Sequence, residues 1–318
     1  MISVCPYGTI TLMNTSAITR RIGAVAACLL VVAESGQAID NFKDLFEHEG
    51  GAPRSDFNAE VSYSTPSDIS RGSTKLGDLD SLQSHVGYQW RFNSPTHVQW
   101  SVGLDWQRYG FGVPAGAPIP NSLQSLALNL GVDWCFADGW NLRLQVAPGF
   151  YSDFQDLSGG DLNSPVTAAL TYTVDPKLQI IGQFNADVRR EFPVFAFVGV
   201  RWQFAERWTA LALFPRPRVE YQATDALALF AGSGFYGGAF RVADDFGRTH
   251  GQTNLDNQIV NYREIRVGAG LRYRVGQRLS AELEGGWMID RRFHYNDRHL
   301  LLNGDGAPYV GVFANLSF

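Results

Sequence analysis

The chain is poor in several things that soluble enzymes use freely. Only three cysteines occur, Cys5, Cys28 and Cys135, and the first two precede the region where a mature chain is expected to start. A single remaining thiol cannot staple a fold, so a disulfide scaffold is excluded and Cys135 reads as a structural thiol. Charged residues make up 18% of the chain and there is no block of basic residues, which argues against a nucleic-acid partner. Apart from one stretch near the start, no apolar run approaches the ~20 residues of a spanning helix. The histidines, six in all, accompany no G-x-S-x-G motif, so a serine hydrolase has little support. No cofactor motif is recognisable, and none is expected. The acids Asp244, Asp245 and Asp256 and His250 match no calcium loop, so no metal is expected either.

What is abundant is aromatic residues, at 13%, and glycine, at 33 residues. Arg20 and Arg21 precede the apolar run from Ile22 to Ala33, which is followed by small residues at Gly36 and Ala38. This is the pattern of a secretory signal, so residues 1–38 are read as a signal peptide with cleavage before Ile39. Met13 gives a more compact signal and is read as the natural start. Residues 39–55 form a periplasmic leader, in which Phe42, Leu45 and Phe46 have helical spacing.

From residue 79 onward apolar and polar residues alternate over stretches of about ten, which means strands. Leu82, Val86, Tyr88, Trp90 and Phe92 share one face, against Gln83, His85, Gln89 and Arg91 on the other. Val98, Trp100, Val102, Leu104 and Trp106 oppose Gln99, Ser101, Asp105 and Gln107. Leu279, Ala281, Leu283 and Trp287 oppose Ser280, Glu282, Glu284 and Asp290. A soluble sandwich also alternates, but its strands usually run five or six residues, and most of these are long enough to cross hydrocarbon at a tilt. Connections alternate too: short turns near 93–96, 137–139, 175–177, 205–207, 224–226 and 276–278, and mostly longer loops at 65–78, 110–121, 152–162, 188–192, 215–217, 238–259 and 291–308. Short periplasmic turns with long outer loops mark an outer-membrane barrel.

The count gives an all-β, transmembrane, antiparallel up-and-down barrel of fourteen strands over residues 56–318, with twelve if the short strands beside Pro215 and Pro217 are discounted. Trp90, Trp100, Trp134, Trp140, Trp202 and Trp208 gather near the short turns, as expected of an aromatic girdle at the headgroup layer. The polar parity turns His85, Asp105, Asp133, Arg143, Arg201, Arg218, Glu220, Arg266, Arg272, Arg274, Glu282 and Glu284 toward the lumen. The turn at 276–278 sets Arg272 opposite Glu282, an expected ion pair. A mixed-charge interior can brace the wall or bias which polar solutes enter.

The chain ends Tyr309-Val310-Gly311-Val312-Phe313-Ala314-Asn315-Leu316-Ser317-Phe318. This resembles the terminal strand of bacterial outer-membrane proteins, and the resemblance implies that Phe318 is read by the barrel assembly machinery. The segment Phe214-Pro215-Arg216-Pro217-Arg218-Val219-Glu220-Tyr221, with Leu227 to Gly237 and Phe240-Arg241-Val242 after it, resembles an uncharacterised family of bacterial outer-membrane barrels known only as a domain of unknown function. That resemblance implies a barrel and a location in the outer membrane, with lipid as a partner, and no activity. The expected function is a passive pore or uptake channel for small polar solutes, the alternative a closed barrel with a structural or surface-binding role.

Overall fold

The computed structural model describes residues 54–94 and 98–318. The expected signal peptide and nearly all of the leader lie outside the described residues, as do His48 and His97. Among the described residues seventeen strands form one sheet that closes on itself, in fourteen staves. In order these are β1 (Arg54–Arg71), β2 (Thr74–Ser94), β3 (Val98–Gly112), β4 (Ser122–Ala137), β5 and β6 (Trp140–Val146, Gly149–Ser152), β7 and β8 (Leu162–Asn163, Val166–Asp175), β9 (Leu178–Ala186), β10 (Val194–Ala205), β11 (Trp208–Ala212), β12 (Arg218–Gln222), β13 (Leu227–Arg241), β14 (Ile259–Val275), β15 (Leu279–Tyr295), and β16 and β17 (Leu300–Gly304, Ala307–Ser317). The first stave pairs antiparallel with the last, from Asp56 opposite Ser317 to Ser64 opposite Tyr309, so no edge is left for stray pairing.

Alternation sets the two faces. Leu82, Trp100, Leu104, Leu128, Trp134 and Val310 are exposed on the outer surface, while Gln83, His85, Ser101, Gln107, Asp133 and Arg143 are buried on the inner one. The girdle tryptophans Trp90, Trp100, Trp134, Trp202 and Trp208 are all exposed, and Trp140 packs on Tyr172 with ring centroids 4.6 Å apart. The turns on that side are tight. Gly139 and Gly276, at φ +73° and +65°, take the left-handed conformation that closes two of them.

The other end differs from expectation in two places. Residues 65–78 are strand, not loop: β1 and β2 run on to a turn at Arg71–Thr74, with a bulge between Ser64 and Ser67 that accommodates Pro66. Residues 291–308 likewise hold the end of β15, all of β16 and the start of β17, with 296–299 connecting β15 to β16 and a break of two residues, 305–306, before β17. Above the bilayer a strand needs no apolar outer face, so these extensions lack the alternation that reveals a lipid-facing strand. A bulge in β15 also overturns the expected parity of Asp290. It falls opposite Ile265 on the outer face and pairs there with Arg263 at 2.9 Å.

The barrel is therefore lopsided. Staves β1 to β4 and β13 to β15 run 15 to 21 residues, whereas β9 has 9 and β11 and β12 have 5 each. At ~3.3 Å per residue and a tilt of ~40°, five residues climb only about 13 Å of a ~25 Å apolar band. At Phe214–Pro217 the chain turns back toward β13, which donates from Ser233 N and Phe235 N to the carbonyls of Pro217 and Pro215, at 2.9 and 3.0 Å.

Candidate functional site: the lumen

The two flanks of the lumen are filled differently. On the tall flank the outer half holds a packed aromatic core, with Tyr109 and Phe111 from β3, Phe240 from β13, Tyr262 from β14 and Phe293 from β15. Tyr262 lies 4.9 Å from both Tyr109 and Phe293, and Phe111 lies 5.2 Å from Tyr262. The loops at 113–121 and 242–258 fold into this core with Ile119, Phe246 and Leu255. Tyr109 reaches from β3 to accept a hydrogen bond from Gly237 N of β13 at 3.1 Å, and Tyr295 donates to Pro118 O at 3.1 Å. The expectation of a polar wall throughout is thus corrected: where the staves stand above the bilayer, their inner face is a hydrophobic core covered by loops. The same parity that identified the inner face marks Tyr109 and Tyr262 and, followed just past an expected strand end, Phe111; Phe293 it misplaces, because the bulge in β15 shifts the face of every residue after it.

Beneath the aromatic core lies an ionic layer. Glu264 is buried between Arg266 and Arg291, which it meets directly and at 3.3 Å respectively, and Tyr262 donates to it as well. Arg266 also donates to Ser62 at 2.7 Å and Gln83 at 3.1 Å, and its guanidinium lies 4.5 Å from the Tyr236 ring centroid. From the Pro215–Pro217 kink, Arg216 crosses the lumen to Glu60, 2.7 Å away, over the ring of Phe313. Lower still, Arg218, Glu220, Arg272 and Glu282 form a closed ring of alternating charge. Arg218 meets Glu220 at 2.7 Å and Glu282 at 3.1 Å, and Arg272 meets Glu220 at 2.7 Å and Glu282 at 3.5 Å. The expected Arg272–Glu282 pair is present, and Glu220 is the nearer partner of that arginine. Glu284 accepts from Tyr309, and Arg274 donates to the carbonyl of Asp225 at the mouth that carries the short turns.

Away from that layer, the wall from β2 round to β10 is different in kind. His85 and Asp105 are joined at 2.6 Å and Asp133 and Arg143 at 2.5 Å. Arg201 shares its register position on β10 with Gln179 of β9. Between these strands and the short flank lies a small, partly open cavity, lined among others by Asn129, Gln145, Thr167, Asn185 and Phe195. The connection 187–193 runs along its outer side and contributes Asp187, Arg190 and Phe192 to its lining.

That connection is strapped across the barrel. Arg190 donates to Gly237 O of β13 at 3.2 Å and meets Asp187 at 3.4 Å. Arg189 donates to the carbonyls of Gly160 at 2.6 Å and Asp161 at 3.2 Å, and its own carbonyl accepts from Asn261 of β14 at 3.5 Å. Glu191 meets His294 of β15 at 3.0 Å. Arg189, Arg190 and Glu191 were not singled out from the sequence, because a short charged loop carries no periodic signal. In the outer loop 242–258, Asp256 is paired with Arg248 at 3.2 Å and His250 stacks on Phe246 at 4.4 Å.

A family model described as "Domain of unknown function (DUF6268)" matches residues 95–302, well over half of the chain. No curated protein matches. Among solved structures the barrel is similar to an outer membrane channel from Pseudomonas putida F1, at 10% identity and a TM-score of 0.46 over 85% of this chain and 97% of that one. It is similar also to the toluene transporter TodX of Pseudomonas putida, at 11% identity and a TM-score of 0.45 over 90% and 95% of the two chains. The NanC porin gives 9% identity and a TM-score of 0.40 over 82% and 98%.

Proposed function

The chain belongs to the DUF6268 family of unknown function, and from the filling of its barrel we propose that it is an outer-membrane channel for small polar solutes, held shut at its outer mouth. The path runs along the wall from β2 round to β10. One observation carries this reading: the outer half of the tall flank and the ionic layer beneath it are packed with rings and ion pairs, while the wall from β3 to β10 keeps a partly open cavity of mixed polar and apolar lining covered by the strap at 187–193. Fourteen staves enclose more room than their side chains need, so leaving one flank unpacked gives a route that an eight-stranded barrel lacks. His85, Asp105, Asp133, Arg143 and Arg201 would line the route. Arg218, Glu220, Arg266, Arg272, Arg274, Glu282 and Glu284 would brace the wall beside it. The apolar outer belt and the tryptophan girdle support residence in the outer membrane. Phe318, whose backbone pairs with Ser55 at 2.8 and 2.9 Å, would be the residue that the assembly machinery reads.

The fully packed outer core favours a second reading, a closed barrel with a structural or surface-binding role. Planar-bilayer recordings separate the two. The refolded protein should show infrequent ohmic steps, and a variant carrying both Arg189→Ala and Arg190→Ala should open far more often, because the strap loses its anchors on residues 160–162 and on Gly237. Silence from both proteins, each folded by the criterion of heat-modifiable migration, would establish the closed barrel instead.

A further inference from the structure

The inner faces of β5, β8, β9 and β10 line up in rungs. Gln145, Thr167, Asn185 and Phe195 occupy one rung, and Arg143, Ala169, Gln183 and Phe197 the next. A third continues through Asn141, Thr171 and Ile181. Amide, hydroxyl and amide therefore stand side by side at the ~4.8 Å spacing of neighbouring strands, ending on an aromatic ring. The Phe195 and Phe197 rings are themselves stacked, 5.6 Å apart.

These polar groups are not all satisfied. Thr167 donates to Asn185 Oδ1 at 3.1 Å, as does Gln183 at 3.1 Å. Among the described residues, however, Asn185 Nδ2 has no hydrogen-bond partner, and neither do Gln183 Oε1, Gln179 Oε1 and Thr171 Oγ1. All four residues are more than nine-tenths buried, Asn185 at 7% exposure and Gln183 at 3%. Buried polar atoms are nearly always paired, since each one left alone is unfavourable, so a donor and three acceptors on one wall call for a ligand that supplies the complement. Asn185 is in the lining of the cavity, and the others continue its row toward the periplasm.

The charges narrow the ligand class. The carboxylates along this wall each have a basic partner: Asp105 has His85, Asp133 has Arg143 and Asp187 has Arg190. A charged solute would have to break one of these pairs, whereas a neutral solute rich in hydroxyls would bond to the amides and lay its C–H face on the phenyl rings. We propose that the cavity bounded by Gln145, Thr167, Asn185 and Phe195 is a binding site for a neutral sugar or polyol. This rests on the reading that the cavity lies on the solute path.

Calorimetric titration of the full-length folded barrel in detergent, with maltose, gluconate and glucosamine as probes, tests it. Maltose should bind weakly but measurably, and more tightly than either charged probe. The double variant Gln183→Leu and Asn185→Leu should weaken maltose about tenfold, as expected for one or two lost hydrogen bonds. Should that variant not migrate as a folded barrel, Phe195→Ala serves in its place, since it removes only the stacking face. No heat with maltose, tighter binding of gluconate or glucosamine, or variants that bind maltose as the parent does would overturn the site. Conductance recorded on the same preparation keeps the two ideas apart. A silent barrel that binds maltose refutes the channel and keeps the site, while a conducting barrel indifferent to maltose does the reverse.

Discussion

At the scale of single residues, the most consequential group is Glu264. Its carboxylate is 1% exposed and faces two guanidinium groups that are equally buried. Removing its charge while keeping its shape leaves Arg266 and Arg291 as neighbouring cations with no carboxylate between them. Glu264→Gln should therefore lower the unfolding free energy by about 3 kcal/mol, read from urea denaturation of the barrel in lipid vesicles. An unchanged midpoint would show that Ser62, Gln83 and the surrounding rings hold the arginines unaided. Parity made Arg266 legible in the sequence and would have shown Glu264 two residues earlier on the same face. Arg291 was hidden, because the bulge at Ile289 and Asp290 shifts the face of every residue after it and no residue type announces such a bulge.

At the scale of elements, hairpins whose outer face meets lipid were legible and those that rise above it were not. β3, β4, β5, β8 and β9 fall close to where alternation put them, and even the five-residue strands beside Pro215 and Pro217 are real. The extension of β1 and β2 through Thr65-Pro66-Ser67-Asp68 was not legible, since both of its faces are polar. β13 shows what a kink contributes. At Gly237 the backbone takes φ +132°, and a β-carbon there would sit 2.0 Å from Tyr262 O. The same residue receives Arg190 on its carbonyl and bonds Tyr109 through its amide. Gly237→Ala should destabilise the barrel by roughly 2 kcal/mol, through strain and displaced pairing with β14. It should also raise the frequency of channel openings, because the anchor of Arg190 moves. A variant as stable as the parent would show that β13 can straighten freely at this point.

At the scale of the whole molecule, closure, stave number and the partition into an apolar outside and a polar inside all followed from the period of two. The unequal filling of the interior did not, because it depends on which loops fold inward, and loop trajectories leave no periodic trace. The belt itself can be tested. With six of the eight tryptophans gathered toward one rim, lipids brominated close to their headgroups should quench the fluorescence more than lipids brominated near the chain ends. Equal quenching by both would contradict the girdle.

The difference in stave length reaches beyond the protein. A hull with one low gunwale has no level waterline: either it leans toward β11 and β12, or the surrounding leaflet sags to meet it. In both cases the acyl chains beside those two strands are more compressed and more splayed than anywhere else around the perimeter.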